Sequence, residues 1–202
     1  MKEIPEELLP VIEWWEKDGK QTLLMLAVVA ALVGGFYGFK NWRASQRAAA
    51  ADAAMTAYTV EELEDAVAKY GSLAAGPALR QRLAKKYFDD GRYQEALDVY
   101  TALAAQPVDG FEDVPAVGEA ECLEALGRFA DAAAKYTAFV EAKPESPFAL
   151  TAKLGYARAI CLDGKKDAAV KALEALKDEL KDDAAALARV EATLDVVNRS
   201  GK

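Results

Sequence analysis

Seven side chains carry most of the chemistry that the C-terminal part of this sequence offers: Gln81, Lys85, Phe88, Glu121, Glu124, Leu154 and Arg158. They supply an amide, two cations, two carboxylates, an aromatic ring and an aliphatic group. Such a set makes hydrogen bonds, ion pairs and apolar contacts, which suits gripping a polypeptide rather than breaking a bond. The catalytic alternatives lack their parts. The chain has no histidine, so the commonest general base and metal ligand is absent. No phosphate-binding loop, dinucleotide fingerprint, nucleophile elbow, HExxH helix or calcium loop occurs. The acidic pairs Glu61-Glu62, Asp89-Asp90 and Asp182-Asp183 fall at helix starts or turns, where caps and solvated ends account for them. No enzyme, cofactor or metal is expected.

Charge narrows the partners. Lys and Arg number 25 against 33 Asp and Glu, a formal net charge of −8. The excess lies mainly beyond residue 43 and contains no basic stripe. Nucleic acid and anionic lipid surfaces both demand counter-charge, so neither is an expected ligand. Cys122 and Cys161 form no CxxC and are too few for an ordinary zinc site. They read as two small core residues, or as a disulfide between neighbouring helices in an oxidising compartment.

The elements that position the seven residues repeat. Gly91-Arg92-Tyr93-Gln94-Glu95-Ala96, Gly127-Arg128-Phe129-Ala130-Asp131-Ala132 and Gly164-Lys165-Lys166-Asp167-Ala168-Ala169 are spaced 36 and 37 residues apart, each glycine between two amphipathic stretches. Tyr100, Tyr136 and Leu173 follow at one matched position, and Leu103, Phe139 and Leu176 at the next. Upstream, Ala84, Ala120 and Ala157 share a small position, with Tyr87, Leu123 and Ile160 three later. A glycine that closes each first helix, small residues where helices approach and bulky ones that fill the gaps describe stacked helix pairs. Pro77 and Pro115 stand in first turns, and Pro107 and Pro144 follow second helices. First helices of such a stack line one face, and the repeat register points the seven residues there.

This pattern resembles the tetratricopeptide repeat. The likeness covers about residues 77–181 and is weakest in the third unit, where Lys166 and Leu173 replace aromatics. The expected units are 77–107, 113–144 and 147–181. A degenerate pair over 44–71 precedes them, with a Thr59/Glu62 capping box opening its second helix at Val60 and Gly71 ending it. A capping helix over 183–198 follows, with Leu187, Val190, Leu194 and Val197 on its apolar face. Ser146 is expected to cap the last unit and Pro147 to open it.

Ahead of the repeats runs Thr22–Phe39, 18 residues without a charge between Lys20 and Lys40. As a helix it spans roughly 27 Å, near the hydrocarbon thickness of a bilayer. Trp14 and Trp15 precede it and Trp42 follows, the preferred place of tryptophan at membrane interfaces. The apolar run exceeds that of a signal peptide and exits into Lys40-Asn41-Trp42-Arg43, so residues 20–43 read as an uncleaved signal anchor. Ala30, Gly34 and Gly38 recur every four residues and offer a face for another membrane helix. Residues 1–19 form a short N-terminal segment, with Leu8, Val11, Ile12 and Trp15 on one face of a short helix. Basic residues balance on the two sides (Lys2, Lys17 and Lys20 against Lys40, Arg43 and Arg47), so charge gives no orientation.

The fold expectation is all-α: one N-terminal transmembrane helix, then an α-solenoid of tetratricopeptide-like pairs over 44–202. The arrangement of Trp14-Trp15, Lys17-Asp18-Gly19-Lys20, one membrane helix, Lys40-Asn41-Trp42-Arg43 and repeats containing Pro144-Glu145-Ser146-Pro147-Phe148-Ala149 resembles the YfgM family. That resemblance implies an ancillary subunit of the Sec translocon in the bacterial inner membrane, with a periplasmic repeat domain, a chaperone-like role and exported polypeptides as partners. The alternatives are a self-associating scaffold for cell-wall or outer-membrane assembly, or a cytosolic repeat domain on an anchor whose N-terminus lies outside.

Overall fold

A computed structural model describes residues 9–106, 108, 110 and 112–200. Leu8 and Pro107 lie outside the described residues. The described residues form helices and turns, with no strand among them. Two compact units divide the chain, Met1–Ala49 and Ala50–Lys202.

In the first unit, α1 (Leu9–Trp14) runs through a π turn (Trp15–Gly19) directly into α2 (Lys20–Thr56). The sequence expects a short helix here, and the wide turn that joins α1 to α2 seats the Trp15 ring against Gly19. A Cβ there would stand 2.8 Å from Trp15 Cε3. The run Leu9–Thr56 is the one helical run among the described residues long and apolar enough to cross a membrane. Its apolar side chains face outward, with Leu24, Leu32 and Phe36 each about two-thirds exposed. Ala30, Gly34 and Gly38 are exposed as well, and a Cβ on either glycine would meet nothing within 4 Å.

The second unit begins within the last turns of α2. Next comes α3 (Val60–Tyr70), whose first turn is closed by the expected capping box. Thr59 Oγ1 accepts from Glu62 N (3.2 Å), and Glu62 Oε2 accepts from Thr59 N (3.1 Å) and Tyr58 N (2.8 Å). Three helix pairs follow: α4 (Gly76–Asp89) with α5 (Tyr93–Ala104), α6 (Asp113–Ala125) with α7 (Phe129–Ala142), and α8 (Ala149–Leu162) with α9 (Lys166–Glu179). The series closes with α10 (Ala184–Arg199).

The turn inside each pair is the same object three times. Gly91, Gly127 and Gly164 have φ of 78°, 76° and 85°. The next residue's N–H reaches back five places: Arg92 to Tyr87 O and Arg128 to Leu123 O at 2.8 Å, Lys165 to Ile160 O at 2.9 Å. This double-bonded helix end needs the left-handed conformation that glycine adopts without strain. The small residues Ala84, Ala120, Ala157, Ala96, Ala132 and Ala169 are all buried, as are the bulky partners Tyr100, Tyr136 and Leu173.

From α3 onward, each helix packs on the next in the chain. In addition, α4 touches α6, α6 touches α8 and α8 touches α10, whereas the second helices make no such contacts with one another. The stack therefore bends around its first helices, and their free faces line the inner side.

The last pair starts later than the sequence implies. Helix α8 begins at Ala149, and Pro147 belongs to the preceding turn. Ser146 still accepts from Phe148 N (3.1 Å), and its hydroxyl donates to Asp113 Oδ2 (2.5 Å). Lys143 Nζ joins Asp113 Oδ1 at 2.5 Å. The turn between the second and third pairs is thus tied to the first turn of α6. In α10, Asp183 caps the helix through Ala185 N and Ala186 N, and Val190 and Val197 are fully buried.

Candidate functional site

Two clefts lie on the first-helix side, and one side chain belongs to both. The larger, about 550 Å³, is walled by Gln81, Lys85, Lys86 and Asp89 of α4 and by Val114, Val117 and Glu121 of α6. Tyr100 and Phe148 add aromatic surface to it. The smaller, about 350 Å³, is lined by Phe88, Glu121, Glu124, Ala125, Arg158 and Leu162. Glu121 stands where they meet.

Six of the seven residues read from the sequence line these clefts: Gln81, Lys85, Phe88, Glu121, Glu124 and Arg158. Leu154 does not, which corrects the expectation for that residue. It is 4% exposed, because α8 packs against α6, α7, α9 and α10 at once and keeps little open surface. Its place on the cleft wall is taken by Leu162, one of the exposed large apolar residues, which the repeat register did not single out.

The charged residues are mostly spent on one another. Lys85 Nζ bonds Asp89 Oδ1 at 2.5 Å and Lys86 Nζ bonds Asp90 Oδ1 at 2.8 Å, each one helical turn on. Arg158 grips Glu124 with two N–H groups, Nε to Oε1 at 3.0 Å and Nη2 to Oε2 at 3.2 Å. The Tyr136 hydroxyl donates to Glu124 Oε2 at 3.2 Å. Burial alone would lower the Arg158 pKa, but the hydrogen bonds and charge of Glu124 outweigh it and raise the value overall. Phe88 lies edge-on to Tyr93 with centroids 5.2 Å apart.

Arg82 is a residue that pattern reading missed. It occupies the α4 position that is glycine in α6 and α8, and its guanidinium donates to the carbonyls of Ala54 and Ala57, the latter at 2.5 Å. These are carbonyls at the end of α2, where the helix leaves acceptors without partners and a cation is favoured. The signal available in the sequence was the departure itself: an arginine aligned with Gly118 and Gly155.

Glu121 differs from every other charge in the clefts. It makes no hydrogen bond or ion pair with a described residue. Burial pushes its pKa up. Arg158 and Lys85 pull it back and Glu124 adds to the rise, with the net effect upward. A partly desolvated carboxylate without a partner, between two cations committed elsewhere, is poised to accept hydrogen bonds from a ligand cation.

The two cysteines are free thiols: Cys122 is buried and Cys161 partly so. Burial pushes the Cys122 thiol to about 12, with Glu121 and Glu119 adding to the rise, so it is inert at neutral pH.

No protein-family model matches the chain, and no curated protein is significantly similar to it. Solved structures are. A Podosopora anserina kinesin light chain with nearly identical TPR-like repeats superposes with a TM-score of 0.59 at 21% identity, over 77% of this chain and 84% of that one. A single-site variant of it superposes with a TM-score of 0.60 at 20% identity over the same shares. At that identity the likeness concerns the fold, and the fold is that of tetratricopeptide-like repeat proteins.

Proposed function

We propose that this chain is a membrane-anchored protein-interaction adaptor, which holds polypeptide segments in the clefts of its first-helix face. The observation that carries the reading is the pair of clefts meeting at Glu121, on a repeat stack whose chain also contains an apolar helix of membrane-spanning length. Supported by the resemblance of the anchor and its flanking tryptophans, the finer reading is a chaperone-like subunit beside the Sec translocon of the bacterial inner membrane, with the repeats in the periplasm. The open faces of Gly34 and Gly38, with Ala30 on the same line, would then pack against a membrane helix of the translocon, and Gly34→Leu with Gly38→Leu would weaken its co-purification.

The test is a photo-crosslinking residue at Leu162, on the cleft wall, in the full-length protein in its membrane. Translocon subunits and exported chains among the adducts support the reading. Self-pairs or cell-wall enzymes would replace it with an assembly scaffold. A single engineered surface cysteine, on a background lacking Cys122 and Cys161, reports the side of the membrane. Labelling from outside spheroplasts supports a periplasmic domain, and protection places the repeats in the cytosol.

A further inference from the structure

We infer that the inner clefts select polypeptide segments in which a lysine or arginine stands beside apolar residues, with the cation bound at Glu121. The inference rests on the adaptor reading and specifies its ligand.

The argument is one of charge complementarity inside the clefts. Four cations line them, and each is engaged. Arg82 is held by the carbonyls of Ala54 and Ala57, Lys85 by Asp89, Lys86 by Asp90 and Arg158 by Glu124. Glu124 in turn is filled by the Arg158 fork and the Tyr136 hydroxyl. Glu121 alone among these groups faces both clefts without a partner among the described residues. An anionic ligand would meet cations already engaged by acidic groups or helix carbonyls and would sit beside this free carboxylate. A cationic one completes the set.

The apolar requirement comes from the surfaces on either side. Tyr100, Val117 and Phe148 line the larger cleft, and Phe88 and Leu162 the smaller. A side chain on each side of the basic residue would cover them. The net charge of −8 acts in the same direction at long range, drawing cationic segments in and repelling acidic ones.

The experiment uses full-length protein in detergent micelles and labelled peptides of one scaffold, Leu-Ala-X-Leu-Ala between Gly-Ser flanks. X is lysine, norleucine or glutamate, and binding is read by fluorescence anisotropy. The expected result is lysine over glutamate by on the order of tenfold or more, with norleucine between. Glu121→Gln should erase the preference, and Glu121→Lys should invert it, each with unchanged helical content. Equal binding of the three peptides, or a lysine preference that survives Glu121→Gln, overturns the inference. So does failure of the lysine peptide to bind. If the three bind equally but Phe88→Ala abolishes them all, the clefts are a peptide site without this charge rule. If Phe88→Ala changes nothing, the adaptor reading of the clefts falls as well.

Discussion

The Tyr136 ring lies flat against the backbone of Gly155, so close that a Cβ on the glycine would stand within 2.7 Å of its Cε2 atom. Tyr100 and Gly118 make the same contact one repeat earlier, with a Cβ on Gly118 placed 2.7 Å from the Tyr100 Cζ atom. A second-helix aromatic of one pair thus docks on a first-helix glycine of the next, and the stack is locked from pair to pair.

Glycine inside a helix ordinarily costs about 0.5–1 kcal/mol relative to alanine. Gly155→Ala should nonetheless destabilise the repeat unit, by about 1–3 kcal/mol, because the added methyl overlaps the ring of Tyr136, which is itself buried. Tyr136→Leu should be costly alone but partly rescue Gly155→Ala, since Leu173 fills the matching position one pair on. Urea unfolding followed by helical circular dichroism gives the coupling energy. Additive costs would mean that the contact is not the lock.

The repeat was legible because it is written in side chains that recur: the turn glycines, the buried alanines and the bulky residues after them. The Tyr–Gly lock was not. Gly118 and Gly155 lie 37 residues apart, but the first unit has Arg82 there, and a glycine has no side chain to mark the contact. Leu154 fails for a related reason. Helical register gives a direction around an axis, but it does not tell how many neighbours enclose that direction. The Glu124 network was illegible in another way, since Arg158, Glu124 and Tyr136 come from three helices and none has a sequence neighbour that announces the others. The long apolar helix was legible by length and composition alone, while its π turn depends on how Trp15 folds over Gly19.

Arg158 and Glu124 form a partly buried fork, with side chains 34% and 15% exposed. Removing one partner should cost more than removing both. Arg158→Ala strands the Glu124 carboxylate with only the Tyr136 hydroxyl and should cost about 2–4 kcal/mol. The double variant Arg158→Met with Glu124→Leu should recover most of that loss. A double variant as unstable as the sum of its parts would mean that the pair is incidental. For the same reason Phe88→Ala is the cleaner probe of the clefts, since Arg158 also holds up the fold.

Asp113 gives the repeat unit a defined acid sensitivity. Its hydrogen bonds with Lys143 and Ser146 outweigh burial and hold its pKa below the usual carboxylate value. A group depressed in the folded state contributes stability above its unfolded pKa and loses it as pH falls through the folded value. Asp113→Asn should therefore lower the melting temperature at neutral pH, and by progressively less in acid as pH falls through the depressed value. An equal loss at neutral and acid pH would assign the effect to packing of the turn rather than to charge.

Glu121 should show the opposite sign. Burial raises its pKa, with Glu124 adding to the rise and Arg158 and Lys85 opposing it, so the folded state holds a proton more tightly than the unfolded chain. Its ionised form opposes folding at neutral pH, and that penalty fades as pH falls through the raised value. Glu121→Gln should accordingly raise the melting temperature at neutral pH, with the advantage shrinking in acid, while it removes selection for basic peptides. A carboxylate kept without a partner at a cost in stability is what a ligand site requires, because the missing partner is then supplied by the ligand. If Glu121→Gln instead lowers stability at neutral pH, Glu121 already has an internal partner and belongs to the fold.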